Sequence, residues 1–304
     1  MTTTSNVFLA NYNSSKFDIT LKADVTGAPT WVQYIEPNKL FAVNENGNDL
    51  HILNLECGST YSLTPAINAT GSSGVVHLGF NKDNTRLVSA AYGNRTVDVW
   101  DISSDRLRLI KTIPAPGNSG PRSPNQDTSH PHQANLNPSG RYFAINDLGF
   151  DNIMILDTQD NKYDIIQNIP TKAGYVICEI SNEIIVNQIS YSAAGVTIHQ
   201  SQIISSFISG TAPKGAAAGG IVLHPNQKDL YITNRLTGGN GVLPRMLSIS
   251  KSGKEIFLSN QDGPAAAVAF GINEDSSIDA TPKATLDLSV FSEKGSGPPY
   301  ITEI

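Results

Sequence analysis

The stretch VVHLGFNKDNTRLVSAAYGNRTVDVWDI, residues 75–102, decides the fold. An apolar run, Val75–Phe80, breaks at Asn81-Lys82-Asp83. A second run, Arg86–Tyr92, breaks at Gly93-Asn94, and a third, Val97–Ile102, follows at once. Short runs rich in β-branched and aromatic residues, bounded by Asn, Asp and Gly, read as antiparallel strands joined by tight turns. The same order recurs on both sides. Trp31–Ile35 leads through Glu36-Pro37-Asn38 to Leu40–Asn44 and Leu50–Leu55. Gln133–Leu136 leads through Asn137-Pro138-Ser139-Gly140 to Tyr142–Leu148 and Ile153–Asp157. Tyr175–Ile180, Ile184–Ile189 and Val196–Gln200 form a fourth copy, and Ile221–His224 with Leu230–Asn234 a fifth. Arg245–Ile249, Glu255–Asn260 and Ala266–Gly271 form a sixth. A seventh assembles from both ends, Val7–Tyr12 and Phe17–Leu21 with Tyr300–Ile304. In most copies the second run ends on a polar residue.

The first runs begin at residues 31, 75, 133, 175, 221 and 245, in steps of 44, 58, 42, 46 and 24. A four-stranded propeller blade repeats about every 40–50 residues. One such sheet cannot bury both faces alone, and radial packing of blades buries them and shortens the exposed edges. The sequence therefore predicts an all-β, seven-bladed β-propeller forming a single domain over 1–304. The strands of the two termini are expected to close the ring. The step of 24 leaves no room for outer strands, so a truncated blade is expected around 221–243. The step of 58 holds Pro114–Gln133, a Gly-, Pro- and Ser-rich loop of a length that is usually functional.

Composition bounds the function. Of 304 residues, 39% are hydrophobic and 16% charged; the net charge is −6 and the pI about 5.5. Nothing there offers a basic face to nucleic acid or to anionic lipid. Only Cys57 and Cys178 occur, which speaks against a disulfide-built secreted domain. Met1–Val7 is polar and lacks the features of a signal peptide, and no apolar run is long enough to span a membrane. The expectation is a cytoplasmic protein whose partner is a small-molecule substrate, with neither nucleic acid nor membrane. Oligomeric state leaves no pattern.

Candidate chemistry lies in patches. Ser129-His130-Pro131-His132-Gln133 ends the long loop, and an extended segment puts residues i and i+2 on one face, so both imidazoles can line one cavity. Arg235, at the end of Tyr231-Ile232-Thr233-Asn234, and Arg245, after Pro244, present the planar fork that binds carboxylates and carbonyls. Asp147 is a candidate polar contact, with Asp151 nearby as a turn residue. Glu45 and Gln188 sit at equivalent second-run ends, after Val43-Asn44 and Val186-Asn187. His77, His199 and His224 stand singly in runs and read as structural. The chain has no zinc spacing, no Gly-rich dinucleotide loop and no GxSxG elbow, so no cofactor is expected.

Gln126-Asp127-Thr128-Ser129-His130-Pro131-His132-Gln133, with Asn137-Pro138-Ser139-Gly140-Arg141 and Asp147-Leu148-Gly149, resembles the lactonase-like seven-bladed propellers. Ala91-Tyr92-Gly93, Val186-Asn187-Gln188, Thr233-Asn234-Arg235, Pro244-Arg245 and Ser259-Asn260-Gln261-Asp262 extend the likeness over nearly the whole chain. The family includes propeller-type 6-phosphogluconolactonase and carboxymuconate lactonizing enzyme. The resemblance implies a site built from a histidine, two arginines and a glutamate. The histidine falls in the His130/His132 segment and one arginine on Arg235. Gln188 stands where the family has glutamate. Ala173-Gly174-Tyr175-Val176 stands where the family has Gly-Pro-Arg-His, so that arginine is absent. These departures make the chain similar also to fungal hetero-Diels–Alderases of tropolone–sesquiterpenoid pathways.

The leading expectation is therefore a cofactor-free cyclase of secondary metabolism acting on a mostly apolar substrate. His130, His132 and Arg235 would polarise an oxygen, with Tyr175, Gln188, Arg245, Asp147 and Glu45 binding the substrate. A lactone hydrolase or lactonizing isomerase is the second expectation, and a non-catalytic scaffold the third.

Overall fold

A computed structural model describes residues 4–119, 123–124, 126–170, 176–178, 181–192, 195–207, 210–235, 242–291 and 297–304. Its strands, in chain order, fall into seven successive antiparallel sheets among the described residues. The first pairs β1 (Thr4–Tyr12) with β2 (Phe17–Thr26). The second is β3 (Val32–Ile35), β4 (Lys39–Val43), β5 (Asp49–Cys57) and β6 (Tyr61–Thr70). The third is β7 (Val75–Phe80), β8 (Arg86–Ala91), β9 (Thr96–Asp101) and β10 (Arg108–Pro114). The fourth is β11 (Pro131–Leu136), β12 (Tyr142–Asp147), β13 (Asn152–Asp157) and β14 (Asp164–Pro170). The fifth is β15 (Val176–Cys178), β16 (Glu183–Ser192) and β17 (Gly195–Ser205). The sixth pairs β18 (Ala217–Leu223) with β19 (Leu230–Arg235). The seventh is β20 (Val242–Ile249), β21 (Glu255–Asp262), β22 (Ala265–Gly271) and β23 (Ala284–Asp287). Each sheet is a meander, every strand pairing with its sequence neighbour. This is the blade pattern of a β-propeller.

The turn between first and second strands is built the same way in several sheets. The Asn81 side-chain oxygen accepts from Thr85 N at 2.9 Å and Arg86 N at 2.8 Å. Asn137 does so from Arg141 N at 3.1 Å and Tyr142 N at 3.0 Å, and Ser250 Oγ accepts from Glu255 N at 3.1 Å. A short polar side chain that mimics the backbone fixes each turn and hence the register of the hairpin.

The chain divides into two compact units, Met1–Phe8 with Leu21–Ala173 and Ile189–Ile198, and Leu9–Thr20 with Gly174–Gln188 and His199–Ile304. Within the first, sheets stack face to face. Phe41, Val43, Leu50 and Ile52 of the second sheet interlock with Val75, Leu78, Leu87 and Trp100 of the third. Val88, Val97 and Val99 on the other face of that sheet meet Phe143, Ile145, Met154 and Leu156 of the fourth. The three inner strands of the third sheet, β7–β9, are thus buried on both faces, which is why they read as continuous apolar runs. Within the second unit, Tyr231 of β19 packs against Leu247, Ile256 and Val268 of the seventh sheet.

Two differences from the sequence reading have physical causes. The segment 300–304 forms no strand; Ile301 instead packs with Tyr12 and Phe17 against Phe257, Ala269 and Ala284 of the second unit. The fourth strands β6, β10, β14 and β23, expected of a four-stranded blade, have no residues assigned in the sequence reading, because outermost strands have one face in water. Ile110, on β10, and Ile166, on β14, are exposed. The sixth sheet has two described strands, as expected for the shortened repeat; 236–241, within the segment expected to cut that blade short, lies outside the described residues.

Candidate functional site

The polar residues that end the second strands hold the linker arriving from the previous blade. Ala28 N donates to Asn44 Oδ1 at 2.9 Å, and Asn234 Nδ2 donates to Ser206 O at 2.8 Å. Asp147 is the strongest of these clamps. Its Oδ1 accepts from His130 N at 2.7 Å, Gly149 N at 2.9 Å and Phe150 N at 3.1 Å, while Oδ2 accepts from Ser129 Oγ. Leu148 N donates to His130 O at 3.0 Å, and buried Gln126 donates to Leu148 O at 3.2 Å. A buried carboxylate needs such donors to offset its desolvation. The sequence reading offered Asp147 as a substrate contact. The structure makes it a loop clamp, only 3% exposed and bonded on both oxygens. Asp151, at φ 47°, is a turn residue as expected.

Gly149 completes the clamp. A β-carbon on it would fall 1.7 Å from Thr128 O and 3.0 Å from His130 Cδ2. The Asp147-Leu148-Gly149 triplet and the 126–130 loop are thus two halves of one joint.

The joint fixes two imidazoles. His130 Nδ1 lies 3.1 Å from the Tyr92 carbonyl oxygen, which only accepts, so Nδ1 carries the proton. Its Nε2 accepts from Thr128 Oγ1 at 3.2 Å. The ring stacks on Tyr92 with centroids 4.1 Å apart and planes 14° apart. Both nitrogens of His130 are therefore engaged by the protein. His132 meets the edge of the same Tyr92 at 6.0 Å and 83°, and its side chain faces solvent.

His132 occupies a bulge. Pro131 pairs with Asp147 and Gln133 with Asn146, leaving His132 as the extra residue of β11. Bulges re-aim side chains and gather beside functional sites. In β20, Pro244 pairs with Asn260 and Met246 with Ser259, so Arg245 is the extra residue there. In both strands a proline, which brings no N–H to the ladder, precedes the bulged residue. The proline was visible in Pro131-His132 and Pro244-Arg245; the bulge it marks was not read.

The other candidates fall in both units. Glu45 follows the Asn44 clamp and is partly buried. In the second unit, Gln188 is exposed on β16 and Arg235 ends β19 opposite Ala217. Tyr175 lies outside the described residues. The first unit therefore brings together His130, His132 and Asp147, and adds Tyr92 as the ring between the histidines. Tyr92 had surfaced only as a weak match in Ala91-Tyr92-Gly93.

His77 lies behind this group on β7. It is buried, its Nδ1 accepts from Ala134 N at 3.3 Å, and its ring packs 4.1 Å from Trp31. Burial first, and His132 second, push its pKa down from 6.5 to about 3. His224 is structural, with Nδ1 accepting from Asn226 N at 3.1 Å and Nε2 2.9 Å from Gly253 O. Among the described residues no three His, Cys, Asp or Glu side chains are grouped so as to hold a metal ion, and no helix is long and apolar enough to cross a membrane.

Comparison with known proteins agrees with this architecture. A relative in Arthroderma benhamiae, named as a probable 6-phosphogluconolactonase, is 24% identical over 244 residues, covering 72% of this chain and 61% of that protein. An uncharacterized protein of Staphylococcus aureus (strain bovine RF122 / ET3-1) is 22% identical over 310 residues, covering 88% of each. Fungal and bacterial relatives together do not single out a fungal source. Among solved structures, a protein from Lactobacillus plantarum superposes with a TM-score of 0.72 at 19% identity, covering 90% of this chain and 89% of that one. The Pseudomonas aeruginosa periplasmic gluconolactonase PpgL gives 0.68 at 17% identity, covering 94% and 96%. At those identities the structures bear on fold alone. The family model described as "Lactonase, 7-bladed beta-propeller" matches residues 3–239, and with its blade-like meanders and the clamped His-Pro-His loop the chain belongs to that family.

Proposed function

We propose that this protein acts on a lactone, with His132 as the proton-transferring group. The observation that carries the reading is the placement of His132: an imidazole facing solvent at a strand bulge, seated by the buried Asp147 clamp and set edge-on to Tyr92. His130, with both nitrogens engaged, serves as the anchor of the loop.

A neutral imidazole on a rigid strand suits general base catalysis near neutral pH. His132 would take a proton from water as the water oxygen bonds to the lactone carbonyl carbon. The ring C–O bond then breaks, and the imidazolium returns its proton to the leaving alkoxide, giving the hydroxy acid. In the reverse sense the same group closes a ring. The relative named as a probable 6-phosphogluconolactonase and the neighbour named as a gluconolactonase favour this reading over the cofactor-free cyclisation expected from Gln188 and Gly174-Tyr175.

The test is acid release by the purified protein from a panel of phosphorylated sugar lactones, muconolactones and aromatic lactones. The expected result is turnover that His132→Ala abolishes and His130→Ala reduces together with thermal stability. Turnover unchanged in His132→Ala removes His132 from the chemistry. Absence of turnover on every lactone rejects the lactone reading.

A further inference from the structure

The seam between β7 and β11 shows how the His132 bulge is seated. Ala134, two residues along the same strand, touches β7 at both of its backbone polar atoms. Its N–H donates to His77 Nδ1 at 3.3 Å. Its carbonyl oxygen lies so close to β7 that a β-carbon on Gly79 would come within 2.5 Å of it. His77 is itself fixed by the Trp31 ring at 4.1 Å. Because Nδ1 accepts, the proton of the neutral His77 ring sits on Nε2. His77 is also close enough to His132 for the two to interact electrostatically. Such pairing is more than a structural histidine needs, since a leucine would fill the space without fixing β11.

We propose that His77 is a positioning residue for His132: through Ala134 it sets the height of β11 against β7 and so the aim of the imidazole on the bulge. The proposal rests on the reading of His132 as the proton-transferring group, but its principal readout does not require turnover. The titratable groups around His132 are His77 from β7, Tyr92 from the end of β8, and His130 and Asp147 from the clamp.

The experiment follows the His132 imidazole by NMR across a pH titration in the wild type, His77→Gln and His77→Leu, alongside lactone kinetics. Glutamine keeps an acceptor for Ala134 N; leucine does not. The expected result is a His132 midpoint and chemical shift that stay in place in His77→Gln and move in His77→Leu. In parallel, kcat is expected to fall roughly tenfold in His77→Leu at nearly constant KM and to recover in His77→Gln, the scale that a small misplacement of a catalytic group produces. If both variants lose thermal stability while the His132 resonance and midpoint stay at wild-type values, His77 is structural only and the proposal is overturned. Should His77→Leu not fold, His132→Ala gives the reciprocal reading. The His77 ring 15N shifts are expected to move in the wild type over the pH range where His132 titrates and to stay flat in His132→Ala. A His77 signal that is equally flat in both also overturns it. A protein without lactone turnover that still shows the coupling would sink the functional reading and leave the positioning intact.

Discussion

Gly149 and Thr128 pack so tightly that the glycine hydrogen stands where no methyl group fits: a β-carbon would sit 1.7 Å from the Thr128 carbonyl oxygen. The obstacle is backbone, in a loop already fastened at His130 N, His130 O and Ser129 Oγ. Gly149→Ala must therefore push the 126–130 loop away from β12 as a whole. The expected loss is about 1–3 kcal/mol of stability, as for other overpacked sites, with a larger relative loss of activity because His132 follows that loop. Urea unfolding and initial rates on the same preparation check both. A variant with wild-type stability and rate would show that the joint can open without consequence.

The carboxylate of Asp147 gathers three N–H donors and one hydroxyl. Asp147→Asn keeps the shape, puts an NH₂ in place of one oxygen, and removes the charge that the three N–H donors and the hydroxyl serve. Each hydrogen bond to a charged group contributes about 1.5–3 kcal/mol, so a loss of at least about 2 kcal/mol is expected. Hydrogen exchange should show it locally, at the amides of His130, Gly149 and Phe150. Protection unchanged at those three amides would contradict the clamp.

Such a joint explains what the sequence could and could not disclose. The blade repeat was legible because inner strands such as β7–β9 are buried on both faces, so that Leu87, Val88, Val97 and Val99 spell the strands directly. The outermost strands escaped because exposed residues, some as apolar as Ile110 and Ile166, alternate with half-buried ones. The histidine loop stood out by residue type, yet the roles within it depend on what each atom meets. His130 and His132 look alike in sequence; the Tyr92 carbonyl and Thr128 hydroxyl hold the first in the loop, and the bulge turns the second to solvent. Asp147 sits at a strand end like a substrate contact, and only its four donors reveal the clamp. Tyr92 had no signal of its own, because its role lies in being sandwiched.

His77 should give the protein an acid-sensitive component of stability. Folded, its pKa is near 3; unfolded, it returns to its ordinary 6.5. Above pH 6.5 both states are neutral and His77 adds no pH dependence. Between those values only the unfolded chain takes the proton, so stability falls as pH falls, by up to about 1.4 kcal/mol per unit well below 6.5. Asp101, whose pKa is lowered to about 2 chiefly by its bond to Ser103, contributes its own loss only further down, from 3.8 towards 2. His77→Gln lacks the proton site. The difference in unfolding free energy between wild type and His77→Gln, measured by urea titration from pH 7.5 to 4.5, should be level at the top and shift in favour of the variant below about 6.5. A difference that stays constant through the range would mean that His77 titrates alike in both states.

Arg245 offers the test of whether a first-strand bulge is a functional device in this chain or only an accommodation of twist. Its strand needs no bulge for packing. Leu247 and Ile249, further along the strand, already contribute to the apolar cluster with Tyr231, Ile256 and Val268, and Pro244 has no N–H to lose from the ladder. The extra residue nevertheless carries a guanidinium, whose fork can hold a carboxylate or polarise a carbonyl in a way an ammonium cannot. If Arg245 contacts substrate, Arg245→Lys should keep the fold and the positive charge and still lower kcat/KM about tenfold or more, with Arg245→Ala lower again by a similar factor. A bulge serving twist alone would tolerate both changes, since the bulge is a backbone feature and its residue's side chain is partly exposed. Arg235→Lys, on the last residue of β19 rather than on a bulge, is the internal comparison. Equal losses in the two lysine variants would assign the effect to charge, and a loss confined to Arg245 would assign it to the geometry of the bulge.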